Sequence, residues 1–210
     1  GSTNLLVGNS SGGGVTLNAG TTLALNGNTL SFFTGGKAAF IGSGTITCST
    51  TSNINLTRSD AVTLGTLYLT PESQTLNNLT LNASGGLTLG SNVTVNGIFT
   101  LSNGMPTLGA NTISYGPSGT LKYDGTSYST TSDIEFPSSN GPANLNINNV
   151  SATGISLHAT RTLSGTLTIA NGNILKLDSG IDLTVGGTFT NNSDATGLTI
   201  ADGASLITNG

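Results

Sequence analysis

Apolar residues in this chain recur as triplets with a polar residue in the middle, and the triplets return at a nearly fixed interval. Leu79 and Leu81 are followed 20 residues later by Phe99 and Leu101; Leu145 and Ile147 are followed 22 later by Leu167 and Ile169, and Leu167 by Phe189 after another 22. Within one such interval lie two more triplets, Leu87/Leu89 and Val93/Val95. A longer echo overlies the short one. Asn78-Leu79-Thr80-Leu81-Asn82 returns as Asn144-Leu145-Asn146-Ile147-Asn148 at an offset of 66, and Gly86-Leu87-Thr88-Leu89 returns as Gly154-Ile155-Ser156-Leu157 at 68. Phe99-Thr100-Leu101-Ser102-Asn103-Gly104 likewise returns as Leu167-Thr168-Ile169-Ala170-Asn171-Gly172 at 68, so the difference of two residues falls between Asn82 and Gly86, where a turn is expected. A fixed period of this length is the mark of a repeat architecture.

Each triplet has the period of a strand, with two apolar residues on one face and a Thr, Ser or Asn on the other. Three such strands per interval, separated by Gly and Asn bends, describe a three-sided coil. Stacked coils put the apolar pairs inside and the polar residues outside, and each coil completes the burial of its neighbour. The pattern therefore predicts an all-β chain folded as a parallel β-helix (β-solenoid), with three short strands per coil of about 20–22 residues. At that spacing the chain makes about ten coils. Asn-Gly pairs at Asn26-Gly27, Asn96-Gly97, Asn103-Gly104, Asn140-Gly141 and Asn171-Gly172 suit corners that need a left-handed backbone. Asn-Gly is also the signal of a two-residue hairpin, which keeps an antiparallel sandwich as the structural alternative. Strands of three to five residues at a fixed period argue against it.

Composition decides two further points. Gly, Thr, Ser and Asn supply 31, 36, 25 and 24 of the 210 residues, all poor helix formers, and no stretch places apolar residues at helical spacing. Disorder is the other fate of so polar a chain, but 35% of the residues are hydrophobic and they are patterned. The formal net charge is −4, and the five basic residues, Lys37, Arg58, Lys122, Arg161 and Lys176, are scattered. Nucleic acid and anionic membranes, which need clustered basic groups, are poor partners. Cys48 is the only cysteine, so neither an intrachain disulfide nor a Cys-based metal site exists. No signal peptide and no bilayer-length apolar run is present, and the pattern is cut in mid-repeat at both ends, as expected of part of a longer protein.

The organisation expected is one continuous domain: irregular N-terminal coils over 1–77, then regular repeats over 78–210, with an irregular or looped stretch at 104–142. That stretch holds Tyr115, Tyr123 and Tyr128, together with Asp133 and Glu135, which alternation would put on one strand face. These five residues are the candidate surface-contact or ligand patch. No residue is assigned a catalytic, cofactor-binding or metal-binding role, and no cofactor is expected. The remaining acids, Asp60, Glu72, Asp124, Asp178, Asp182, Asp194 and Asp202, read as solvated surface, with Lys176, Asp178 and Asp182 sharing outward parity around a bend. His158, the only histidine, has no nucleophile or carboxylate at a recognisable spacing. Arg161 stands where the offset of 68 puts Val93, so it either snorkels out at a corner or breaks the core.

The run from Asn78 to Gly104, the copy ending at Asn171-Gly172 and the closing Gly203-Ala204-Ser205-Leu206-Ile207-Thr208-Asn209-Gly210 resemble repeats of very large secreted surface proteins of the Bacteroidetes and their relatives. The resemblance covers 78–210 well and 1–77 loosely. It implies an extracellular, secreted or cell-surface location and an adhesin or filament role, and it brings no catalytic motif. The function expected is thus a structural, non-enzymatic segment of an extracellular rod or filament, adhesive and self-associating, or continuing into neighbouring repeats. The alternative is a carbohydrate-binding or carbohydrate-active β-helix module, with surface glycans as partners and the tyrosines as sugar platforms.

Overall fold

A computed structural model of the chain describes residues 5–7, 13–33, 38–58, 62–148 and 150–209, so Lys37 and Asp60 lie outside the described residues. Among these the chain is all β, with no helix, and its parallel sheets stack as a β-solenoid of about nine turns with three strands per coil. The coils group into two compact units, Gly1–Ser114 and Tyr115–Gly210.

In the first unit the longest side is a parallel sheet of Leu5–Val7, Thr29–Phe32, Asn53–Thr57, Asn78–Asn82 and Ile98–Asn103. Its register stacks like on like: Leu30, Ile54, Leu79 and Phe99 form one inward column, and Phe32, Leu56, Leu81 and Leu101 the next. All eight side chains are buried, each contributing on the order of 1.5–3 kcal/mol of apolar burial. The outward column between them reads Ser31, Asn55, Thr80 and Thr100. The pairs Leu5–Leu30, Leu30–Ile54 and Ile54–Leu79 make the first coils 24 or 25 residues long, against 20 from Leu79 to Phe99. The extra residues sit in corners, which is why a period of 20–22 is legible only from Asn78 onward.

In the second unit the long side is Thr120–Tyr123, Asn144–Ile147, Leu167–Ile169 and Phe189–Asn191. The other two sides are Ile155–Leu157, Leu175–Leu177 and Leu198–Ile200, and Arg161–Leu163, Asp182–Val185 and Ser205–Thr208. Among the described residues every strand pairing is parallel and no hairpin joins adjacent strands, which removes the sandwich alternative.

The Asn-Gly pairs turn corners in more than one way. Asn26 and Gly27 are both left-handed, at φ of 51° and 80°, and the Asn28 amide closes the turn on the Leu25 carbonyl at 2.9 Å. Gly97 instead lies where a Cβ would come within 2.5 Å of Asn78 Oδ1 and 2.7 Å of the Asn77 carbonyl oxygen. There the requirement is close approach between successive coils, not backbone handedness.

Candidate functional site in the irregular coil

The strands Thr120–Tyr123 and Asn144–Ile147 are direct neighbours, yet the coil between them carries no regular strand. It is held instead by an isolated parallel bridge, Thr130 to Ser156, and by a single helical turn in which the Phe136 amide donates to the Ser132 carbonyl at 3.0 Å. Irregularity within 104–142 is thus concentrated after Tyr123, since Pro106–Thr107, Ile113–Tyr115 and Thr120–Tyr123 are ordinary strands.

Four of the five residues expected to form an exposed patch are buried: Tyr115 and Tyr128 are 7% exposed, Tyr123 and Glu135 0%. The tyrosine platform is therefore corrected to an internal cluster. Ile113-Ser114-Tyr115 and Leu121-Lys122-Tyr123 are inward–outward–inward triplets like the rest, so strand alternation turns both rings inside. The same rule applied to Asp133 and Glu135 fails because they lie in the helical turn, not a strand; Glu135 points in and the Asp133 side chain is 76% exposed.

Inside, Glu135 organises the coil. Its Oε1 accepts from the Tyr123 hydroxyl and from the Ser132 amide, both at 2.6 Å, and its Oε2 accepts from the Ser132 hydroxyl. The Tyr115 hydroxyl donates to the Glu135 backbone carbonyl at 2.6 Å. The Tyr123 and Tyr128 rings meet edge to face, 5.5 Å apart. Burial, and then the Glu135 charge, push all three phenols above the ordinary tyrosine range. A buried carboxylate is tolerated because donors surround it.

Outside the same turn, Arg161 resolves the choice left by the sequence: it occupies a core column, registered with Leu183, and is 8% exposed. Its guanidinium lies 5.8 Å from the Phe136 ring centroid, donates from Nε to the Phe136 carbonyl at 2.9 Å and from Nη1 to the Thr160 carbonyl at 2.9 Å, and from Nη2 bonds Asp133. His158 joins the group, with Nδ1 2.6 Å from Thr131 Oγ1 and Nε2 3.0 Å from Asp133 Oδ1 and 2.7 Å from Arg161 Nη2. The His158 hydrogen bond and the Arg161 charge hold the Asp133 carboxyl below its usual range.

The order Thr131, His158, Asp133 is that of a nucleophilic relay turned inside out. In a catalytic relay the hydroxyl faces substrate and the carboxylate is buried. Here Thr131 is 3% exposed and already accepts the His158 backbone N–H at 3.0 Å, while the carboxylate faces water. The group is a strut that ties the irregular coil to the one after it. Sequence reasoning missed it because its members come from positions 131, 133, 158 and 161, brought together only by stacking. The one available signal was an arginine in an apolar column. Among the described residues there is no pocket, and no three His, Cys, Asp or Glu side chains are grouped to hold a metal ion.

Comparison with protein-family models, with curated proteins and with solved structures finds no match to this chain.

Proposed function

We propose that this chain is a structural, non-enzymatic segment of an extracellular surface rod or filament, adhesive through its polar outer faces and working by coil stacking. The observation that carries the reading is how burial depends on the next coil. Leu121, Leu145 and Leu167 are buried in one column, and Phe189 after them is only half-buried. Ile155 and Leu175 are buried and Leu198 is half-buried, Leu183 is buried and Leu206 half-buried, and Ile200, registered with the buried Leu177, is 45% exposed. The coil of Phe189–Thr208 thus offers an apolar edge with open strand hydrogen-bonding groups, suited to a further coil from continuing chain or a second copy.

The outer faces suit adhesion. Outward hydroxyls and amides of successive coils bond one another, as in Thr22 Oγ1 to Thr45 Oγ1 at 3.1 Å and Asn78 Nδ2 to Asn53 Oδ1 at 2.9 Å, and so form an ordered grid of uncharged polar groups. The resemblance of 78–210 to Bacteroidetes surface repeats and the low charge support an extracellular placement.

Sedimentation velocity over a range of concentrations tests the assembly. Association is expected for the native chain and is lost in the Ile200→Lys, Leu206→Lys double variant, whose lysines blunt the edge. A native chain that stays monomeric at high concentration, or a variant that associates equally well, overturns the reading.

A further inference from the structure

A second group in the same unit carries chemistry that the structural role does not use. Lys122 projects outward from Thr120–Tyr123, and its Nζ donates to Asp124 Oδ2 at 2.8 Å. The other oxygen of that carboxylate, Oδ1, accepts from Asn148 Nδ2 at 2.7 Å. Asn148 belongs to the next coil, where its backbone N–H donates to the Tyr123 carbonyl at 2.9 Å and so fixes it beside Asp124. A primary amine and a carboxamide from adjacent strands therefore share one carboxylate. The Lys122 and Asp124 side chains are each only 27% exposed.

We propose that Lys122, Asp124 and Asn148 form a self-modification site that joins Lys122 to Asn148 through an isopeptide bond. Asp124 takes a proton from the Lys122 ammonium, and the neutral amine adds to Asn148 Cγ. The carboxylic acid so formed protonates Nδ2, the Cγ–Nδ2 bond breaks, and ammonia leaves as the Nζ–Cγ amide closes. No oxidant, reductant or cofactor enters, and the remaining proton departs with ammonia as ammonium. Holding both partners against one acid–base group is what makes such an addition effectively intramolecular.

Asn146 supplies an independent observation. It is the register partner of Lys122, and its Oδ1 is the one buried side-chain polar atom without a hydrogen-bond partner among the described residues. An orphaned buried acceptor calls for a donor. The register pairing of Lys122 with Asn146 puts the N–H that the new amide retains on the strand position facing that residue. The bond would also close the loop that contains the irregular coil, which among the described residues of this unit is the only one without regular strands on two of its sides. A covalent tie there restricts the unfolded chain where the fold is least repetitive.

Intact-mass measurement and peptide mapping of the full chain, incubated folded at neutral and mildly alkaline pH, test this. The expected result is a mass lower than the sequence mass by one ammonia, with a branched peptide linking Lys122 to Asn148. Succinimide formation at an Asn-Gly pair loses the same ammonia, so the branched peptide is the deciding readout. Lys122→Arg and Asp124→Ala, at outer positions of the coil, should fold and give no branched peptide. Native protein without the branched peptide after prolonged incubation, a branched peptide that forms equally in Asp124→Ala, or a branch mapped to Asn146 overturns the assignment.

Discussion

Tyr115 and Tyr123 donate to the same residue over the same 2.6 Å, but to different atoms, and removing each hydroxyl should have a different cost. Tyr123 donates to the Glu135 carboxylate, and a hydrogen bond to a charged acceptor contributes about 1.5–3 kcal/mol. Tyr115 donates to the Glu135 backbone carbonyl, where about 1 kcal/mol is the ordinary figure. Tyr123→Phe should therefore destabilise more than Tyr115→Phe. Glu135→Gln then separates the two. The glutamine carbonyl can still accept from Tyr123 and from the Ser132 amide, and the Ser132 hydroxyl can turn to accept from the new NH2 group. In that background the cost of Tyr123→Phe should drop toward about 1 kcal/mol, a coupling on the order of 1 kcal/mol, while Tyr115→Phe keeps its original cost. Urea unfolding followed by far-UV circular dichroism measures all six chains. Equal costs for the two tyrosines, or a coupling of Glu135→Gln to Tyr115 as large as to Tyr123, would refute the placement of the carboxylate.

Two other expectations concern the core. Leu81→Ala, in the centre of the column Phe32, Leu56, Leu81, Leu101, should cost about 2.7–5 kcal/mol in the same assay, and a loss under 1 kcal/mol would mean that the column is not close-packed. Burial pushes the Cys48 thiol up to about 12, so between pH 9 and 12 the folded chain holds a proton that the unfolded chain releases, and stability falls as pH rises. The slope from this group is about 1.4 kcal/mol per pH unit, and the buried phenols add loss of the same sign at still higher pH. Cys48→Ala should flatten the decline in Tm from pH 9 to 10; parallel profiles for the two chains would exclude the thiol as its source.

Much of the fold is legible in the sequence because inward and outward positions alternate strictly wherever strands are regular. The columns Leu79–Phe99, Leu81–Leu101, Leu145–Leu167 and Leu167–Phe189 follow from counting alone. The N-terminal coils were harder to read, since 24- and 25-residue spacings carry their surplus in corners that have no apolar marker. At the candidate site, strand parity holds for Tyr115 and Tyr123 and breaks at Asp133 and Glu135, where one helical turn replaces the strand. Burial of Glu135 cannot be inferred from its neighbours in sequence, because Tyr123 and Tyr115, which satisfy it, lie 12 and 20 residues away. Arg161 was visible as an anomaly, but its partners became visible only through stacking.

The parallel register also bears on how such a chain comes to be folded. Within each unit, paired strands lie between 19 and 25 residues apart, as for Leu87 with Pro106 and Leu5 with Leu30. No strand has to wait for a partner from the far end of the chain. A polypeptide threading out of a narrow channel could lay each turn on the finished one before it, with the growing edge as its template. Pulled from one end, the same construction would release its turns singly, each lost turn leaving the one behind it intact.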